Sequence, residues 1–168
     1  FAGSRQLTNC QEIVPGLVSI IVRSMNRPEL DEALSSIADQ EYLSVEVILV
    51  DAQGRNELGG KTCGPFPLRV VPRSGPLSRP QAANAGLSVV RGEFFCFLDE
   101  DDLLDPGHIE HLVQAVQETE YLVAYAGVRC LRAGGLKEEE TFNEHFDRYK
   151  LMWSNYIPNN ASLFRREL

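Results

Sequence analysis

Most of this chain alternates between two hydrophobic patterns: short solid apolar runs, and longer stretches with an apolar residue every three or four positions. Val18-Ser19-Ile20-Ile21-Val22 is a run of the first kind and predicts a buried strand. Asn26-Arg27-Pro28 then opens a helix with Pro28 in its first turn, and Leu30, Leu34 and Ile37 form one apolar face. Val45 to Val50 predicts a second strand, ending at Asp51. Residues 52–67 hold Gly54, Gly59, Gly60, Gly64, Pro65 and Pro67, which is a loop composition. Leu68 to Val71 predicts a third strand. After a turn through Pro72, Gly75 and Pro76, Arg79-Pro80 starts a second helix carrying Ala82, Ala83, Ala85, Val89 and Val90. Phe94 to Leu98 is a fourth strand. Asp105-Pro106 offers a cap and a first-turn proline for a third helix, whose Ile109, Leu112, Val113 and Val116 follow at helical spacing. The order β-α-β-loop-β-α-β-α predicts an α/β fold on a mainly parallel sheet.

The pattern changes after Tyr121. Tyr121 to Leu131 is rich in strand formers and runs into Ala133-Gly134-Gly135, a hairpin signal. Phe142, Phe146, Tyr149 and Trp153 predict one more amphipathic helix, with Tyr149 and Trp153 expected in the core, the alternative being that they stack on a sugar. Asn159 to Arg165 predicts a closing strand. Residues 1–16 are polar, end at Pro15-Gly16 and read as a flexible lead-in, so the folded domain is expected over 17–168.

Composition narrows the class. The 168 residues suit one domain, and 43% hydrophobic with 24% charged residues is the balance of a globular protein. The net charge of −8 argues against nucleic acid and anionic membrane surfaces as partners. No apolar run reaches the roughly 20 residues that span a bilayer. No signal peptide is apparent, and a cytoplasmic location is the expectation. The first residue is Phe1, and an excised piece of a longer polypeptide is expected. Cys10, Cys63, Cys96 and Cys130 are too scattered for a zinc site, and Cys96 inside an apolar run reads as a small buried hydrophobe.

The chemistry concentrates where Phe94-Phe95-Cys96-Phe97-Leu98 runs into Asp99-Glu100-Asp101-Asp102. Ligands of open α/β sheets bind at the carboxyl ends of the strands. Two like charges about 4 Å apart at an effective dielectric near 20 cost roughly 4 kcal/mol. The run reads either as a site for Mg²⁺, Mn²⁺ or Ca²⁺, or as a solvated acidic turn with one residue capping a helix. The other strand ends add Ser24 and Asn26 after the first, Asp51 after the second, and Arg79 and Asn84 near the second helix. No G-x-G-x-x-G follows the first strand, and no P-loop or G-x-S-x-G elbow occurs. A nucleoside diphosphate held through a metal fits the remaining set. Asp51 is suited to accept a pyrimidine N–H, and Arg79 to add charge-assisted bonds.

Four segments carry a resemblance: Val18–Val22, Val47–Asp51, Asn84-Ala85-Gly86-Leu87, and Gly92-Glu93-Phe94 through Asp102. In order and spacing they resemble family 2 glycosyltransferases of the GT-A fold, over roughly residues 17–168. That fold is Rossmann-like, a mainly parallel sheet with flanking helices and a C-terminal hairpin or mixed portion. The resemblance implies metal-dependent, inverting transfer of a sugar from a nucleotide-sugar donor to a saccharide, lipid or protein acceptor, with Mn²⁺ or Mg²⁺ as cofactor. It implies that Asp51 contacts the base, Ser24 and Asn26 line the base pocket, and Arg79 and Asn84 sit near the nucleotide. Asp101 would lie near ribose and metal, Asp102 would ligate the metal, and Asp99 would support the turn. A UDP-sugar is the first expectation, and thymidine donors offer the same N–H.

Two departures stand out. Asp51 is followed by Ala52-Gln53-Gly54 where the family often has a second Asp and Gly-Ser, and Ala83 stands where an Arg often precedes the helix Asn. The family's general base usually follows a segment resembling Ile157-Pro158-Asn159-Asn160-Ala161-Ser162, so no residue here is assigned as the base, and truncation before it is expected. The alternative is a non-catalytic nucleotide-sugar-binding or scaffolding module. A phosphoryl-transfer domain fits less well, because Arg23-Ser24 occupies the position after the first strand.

Overall fold

The computed structural model describes residues 12–55, 57–72, 74–119, 121–131 and 138–167. Its elements run β1 Val14–Ser24, α1 Leu30–Ala38, β2 Val45–Asp51, β3 Leu68–Val71, α2 Arg79–Leu87, β4 Gly92–Asp99, α3 His108–Gln117, β5 Val123–Tyr125, β6 Val128–Leu131, β7 Glu138–Phe142 and β8 Ser162–Arg165, with short 3-10 turns at Lys150–Met152 and Asn159–Ala161. The six-stranded main sheet has the order β3-β2-β1-β4-β8-β5. β3, β2, β1 and β4 are parallel, as the βαβ pattern predicts. β8 enters antiparallel between β4 and β5 and makes the sheet mixed. β6 and β7 form a separate antiparallel ribbon. The hairpin signal at 133–135 lies outside the described residues, between those two strands. This is the mixed α/β architecture the sequence led us to expect.

The period-2 alternation of each strand sorts the core into two layers. Ile20, Val22, Val47, Leu49, Phe94, Cys96 and Leu98 face α1 and α3, meeting Leu30, Leu34, Ile37, Ile109, Leu112 and Val116. Ile21, Ile48, Val50 and Phe97 face α2, meeting Ala82 and Ala85. Burial drives the Cys96 thiol up to about 12, the behaviour of an inert hydrophobe.

α2 packs unusually close. A Cβ on Gly86 would lie 2.3 Å from Ile21 Cγ2. Ile21 is β-branched and fully buried, so it cannot swing away. Gly86→Ala is therefore expected to destabilise by about 1–3 kcal/mol through overpacking, although alanine is the better helix former. Urea unfolding checks this. Adding Ile21→Ala should make the pair cost less than the sum of the two changes, and simple additivity would contradict the contact.

Several boundaries differ from expectation. β1 starts at Val14, before Pro15-Gly16, because Val14 N–H bonds to the Arg91 carbonyl and Gly16 N–H to Glu93 Oε2. α1 starts at Leu30: Pro28 and Glu29 form a turn, because the Leu30 and Asp31 N–H groups bond back only three residues, to the Arg27 and Pro28 carbonyls, and Asn26 before it takes a left-handed φ of 56°. α3 starts at His108 instead of at Pro106. Both oxygens of Asp105, the expected cap, accept from Arg129, and Gln40 Oε1 caps Ile109 N–H from across the fold. The helix expected through Phe142–Trp153 does not form. Residues 143–149 are irregular before the 3-10 turn, with Asp147 accepting the Tyr149 and Lys150 N–H groups, and Trp153 is 80% exposed. No helix among the described residues is long and apolar enough to cross a membrane.

Candidate functional site

β1, β2 and β4 end level with one another. Register pairs Ser24 with Asp51 and Arg23 with Asp99, so the strand-end residues named from sequence share one sheet edge. The acidic run leaves β4 through a turn in which Asp102 N–H bonds to the Asp99 carbonyl at 3.1 Å. Its four carboxylates then diverge. Asp99 pairs with Arg23 at 2.5 Å. Asp101 accepts from Arg27 Nη2 at 3.2 Å and is half-exposed. Asp102 faces the Asn160 side chain. Among the described residues, no three His, Cys, Asp or Glu side chains converge into a metal cage.

Glu100 goes the other way and is only 1% exposed. It accepts from Ser24 Oγ at 2.6 Å, from Met25 N–H at 3.0 Å, from Arg27 N–H at 3.2 Å and from Arg27 Nε at 2.6 Å. Ser24 Oγ in turn accepts the Asn26 N–H at 2.8 Å. The left-handed turn at Asn26 is what aims the Met25 and Arg27 amides at one carboxylate. Burial by itself would raise the pKa of Glu100. The bonds from Ser24, Arg27 and the Met25 amide outweigh it and hold Glu100 below the usual carboxylate value. Asp102 moves oppositely. Burial and the neighbouring charges of Asp101 and Asp99 push it up, against a bond from Asn160 and the charge of Arg23.

A cleft of about 280 Å³ opens beside this edge, lined by Arg23, Met25, Ala52, Leu77, Arg79, Ala82 and Asp99. Arg79 reaches it because α2 begins there, with Gln81 Oε1 accepting from the Ser78 N–H and hydroxyl at 2.9 and 2.8 Å. Arg23 lies 5.7 Å from the Phe97 ring centroid, and its Nε is buried with no hydrogen-bond partner among the described residues. Asp51 is buried beneath the Ala52–Gly54 turn and accepts the Gly54 N–H at 2.8 Å. Asn84 does not line the cleft. Five residues beyond Arg79, it is rotated about 140° around the helix. Asn26 reaches Glu57 weakly, at 3.5 Å.

Sequence reasoning therefore placed Ser24, Asp51, Arg79 and Asp99 at one edge, and left Glu100, Arg27 and Arg23 without roles. The signal for Arg23 and Arg27 was available as two cations flanking the one strand end that faces four acids. Asn160, expected in the closing strand, lies in the short 3-10 turn before β8 and meets Asp102. His108 is partly buried on α3, and His111 on the same helix is exposed.

The sequence matches the family described as "Glycosyl transferase family 2" over residues 19–167. It is 35% identical over 108 residues to the glycosyltransferase GlyG of Streptococcus pneumoniae, covering 61% of this chain and 36% of that protein. It is 26% identical over 159 residues to the uncharacterized glycosyltransferase YwdF of Bacillus subtilis, covering 90% and 59%. The chain thus spans less than two thirds of these relatives. The fold is similar to that of S. aureus TarS, with a TM-score of 0.69 at 20% identity, covering 89% of this chain and 28% of that one. It is also similar to the mannosyltransferase PcManGT of Pyrobaculum calidifontis, solved with GDP-Man and Mn²⁺, with a TM-score of 0.62 at 19% identity, covering 89% and 44%. TarS 1-349 in complex with UDP-GlcNAc aligns at a TM-score of 0.67 and 20% identity, covering 89% and 45%. With the family match running from within β1 past the end of β8, this chain belongs to glycosyl transferase family 2.

Proposed function

We propose that this chain is the donor-binding portion of a metal-dependent, inverting glycosyltransferase that takes a UDP-sugar. The observation that carries the reading is the cleft between Arg23, Ala52 and Arg79, which opens at the sheet edge where the acidic run emerges. Support comes also from the TarS complex, whose similar fold holds UDP-GlcNAc.

In this reading the base enters the cleft beside Ala52 and Leu77, above Asp51, which accepts the pyrimidine N–H. Arg79 holds a phosphate oxygen by a charge-assisted bond. Ser24 and Asn26 shape the loop that walls the cleft. Asp101 would hold the ribose side, and Asp101 with Asp102 would supply hard oxygen ligands. Mg²⁺ and Mn²⁺ commonly take one or two carboxylates plus substrate phosphates, so two adjacent aspartates fit without a preformed cage. When bound, the ion supplies Lewis-acid stabilisation of the leaving diphosphate. The acceptor hydroxyl needs a base, and no residue of this chain is assigned to it.

Thermal unfolding with Mn²⁺ and UDP, TDP, GDP or CMP tests the proposal. UDP with Mn²⁺ is expected to raise the stability, by about 2.7 kcal/mol at a hundredfold excess over Kd. If no nucleotide shifts the transition with metal present, donor binding by this chain is refuted. A larger shift with GDP would retain the site and overturn the choice of base.

A further inference from the structure

The fork of Arg27 spans two carboxylates of different kinds. Nε sits 2.6 Å from Glu100 Oε1, which is buried, and Nη2 sits 3.2 Å from Asp101 Oδ2, which is half-exposed. The first contact is short and is reinforced by the Arg27 and Met25 amides on the same carboxylate. The second is longer, open to water, and the only arm that reaches the acidic edge. A cation is thus already built into the chain at Asp101, tethered by a neighbour that has no exposed oxygen to offer a metal.

We propose that Arg27 is a built-in counter-ion for Asp101 which a divalent cation must displace, so that Arg27 sets the metal affinity of this edge. The proposal rests on the metal reading given above. A divalent ion on Asp101 and Asp102 would sit within a few ångströms of the guanidinium, and like charges at that range repel. The Glu100 tether keeps the displaced arginine next to the site and ready to return. The edge then stays partly neutralised without metal, and the metal has to compete for Asp101. Arg27 is a positioning residue here, since it acts through Asp101.

The test is Mn²⁺ titration followed by calorimetry and by the electron spin resonance of free Mn²⁺, with and without UDP. Arg27→Gln is expected to tighten Mn²⁺ binding roughly fivefold, the lower end of typical coupling because the Asp101 contact is exposed. That gain should vanish when Asp101→Asn is added. If Arg27→Gln fails to fold, Arg27→Lys serves, because an ammonium can stay on Glu100 as a point charge with no second arm. Tighter binding in either variant supports the proposal, including the case where only the variant binds Mn²⁺. Wild-type binding with unchanged or weaker binding in the variants overturns it and leaves the metal reading standing. No Mn²⁺ binding by any form overturns both.

Discussion

Glu100→Ala is expected to lower the unfolding free energy by about 2–4 kcal/mol at neutral pH. The substitution removes the shared acceptor of Ser24 Oγ, the Met25 and Arg27 amides and Arg27 Nε. Ser24 is fully buried and keeps its hydroxyl without that acceptor, while half-exposed Arg27 recovers water, which limits the loss. The pH dependence has a definite sign. Glu100 is held below its ordinary value when folded, so its contribution is present above the unfolded carboxylate pKa and is lost as pH falls through the folded one. Wild-type stability should therefore decline on the acid side, and the wild-type and Glu100→Ala curves should converge there. Urea unfolding across that range is the measurement. Curves that stay parallel into acid would show that the charge on Glu100 is not what holds the 24–27 loop. A second consequence is local. The loop walls the cleft, so nucleotide affinity should fall in Glu100→Ala even under conditions where the protein remains folded.

The sheet and its edge were legible because they follow from local pattern. The mainly apolar runs at Val18–Val22, Val45–Val50 and Phe94–Leu98, alternating with helical patterns, fit a covered parallel sheet, and that order puts Ser24, Asp51 and Asp99 along one edge. What the pattern could not show is where each side chain turns. Four adjacent acids look like one cluster in sequence, yet they divide among separate partners in space: Asp99 meets Arg23, Glu100 meets Ser24 and Arg27, Asp101 shares Arg27, and Asp102 meets Asn160. Those partners lie up to seventy-odd residues away, beyond any local signal. The Asp105 cap failed for the same reason, since Gln40 caps α3 from a different element, whereas α2 begins at Arg79 as expected. The aromatic spacing of Phe142–Trp153 misled because periodicity reports a helix only when a core waits to receive it. Phe146, Tyr149 and Trp153 are exposed, and Tyr156, buried nearby, pins the segment by accepting the Asp147 N–H.

Asp102→Asn is expected to separate stability from ligand binding. Asp102 is raised above its ordinary value in the fold, by burial first and then by Asp101 and Asp99. A carboxyl raised in this way favours the fold in its protonated form. Its contribution is complete below the unfolded aspartate value and is lost as pH rises through the folded one. Once ionised, the side chain therefore works against folding, and asparagine removes that opposition while still pairing with the Asn160 amide. The metal-free variant should unfold no earlier than the wild type. The Mn²⁺-dependent part of UDP binding should nevertheless fall by about a hundredfold, because a neutral amide oxygen is a much weaker ligand for a divalent ion than a carboxylate. The same logic gives the wild type a pH signature. Mn²⁺ competes with a proton for Asp102, so Mn²⁺-dependent UDP binding should weaken on acidification earlier than an ordinary aspartate would dictate. Thermal shifts of both proteins with UDP, with and without Mn²⁺, across a pH series read all three expectations. If Asp102→Asn shifts with UDP and Mn²⁺ as the wild type does, Asp102 is no metal ligand. If it instead unfolds early without metal, the charge of Asp102 is compensated in the fold, and the electrostatic tension at this edge is not real.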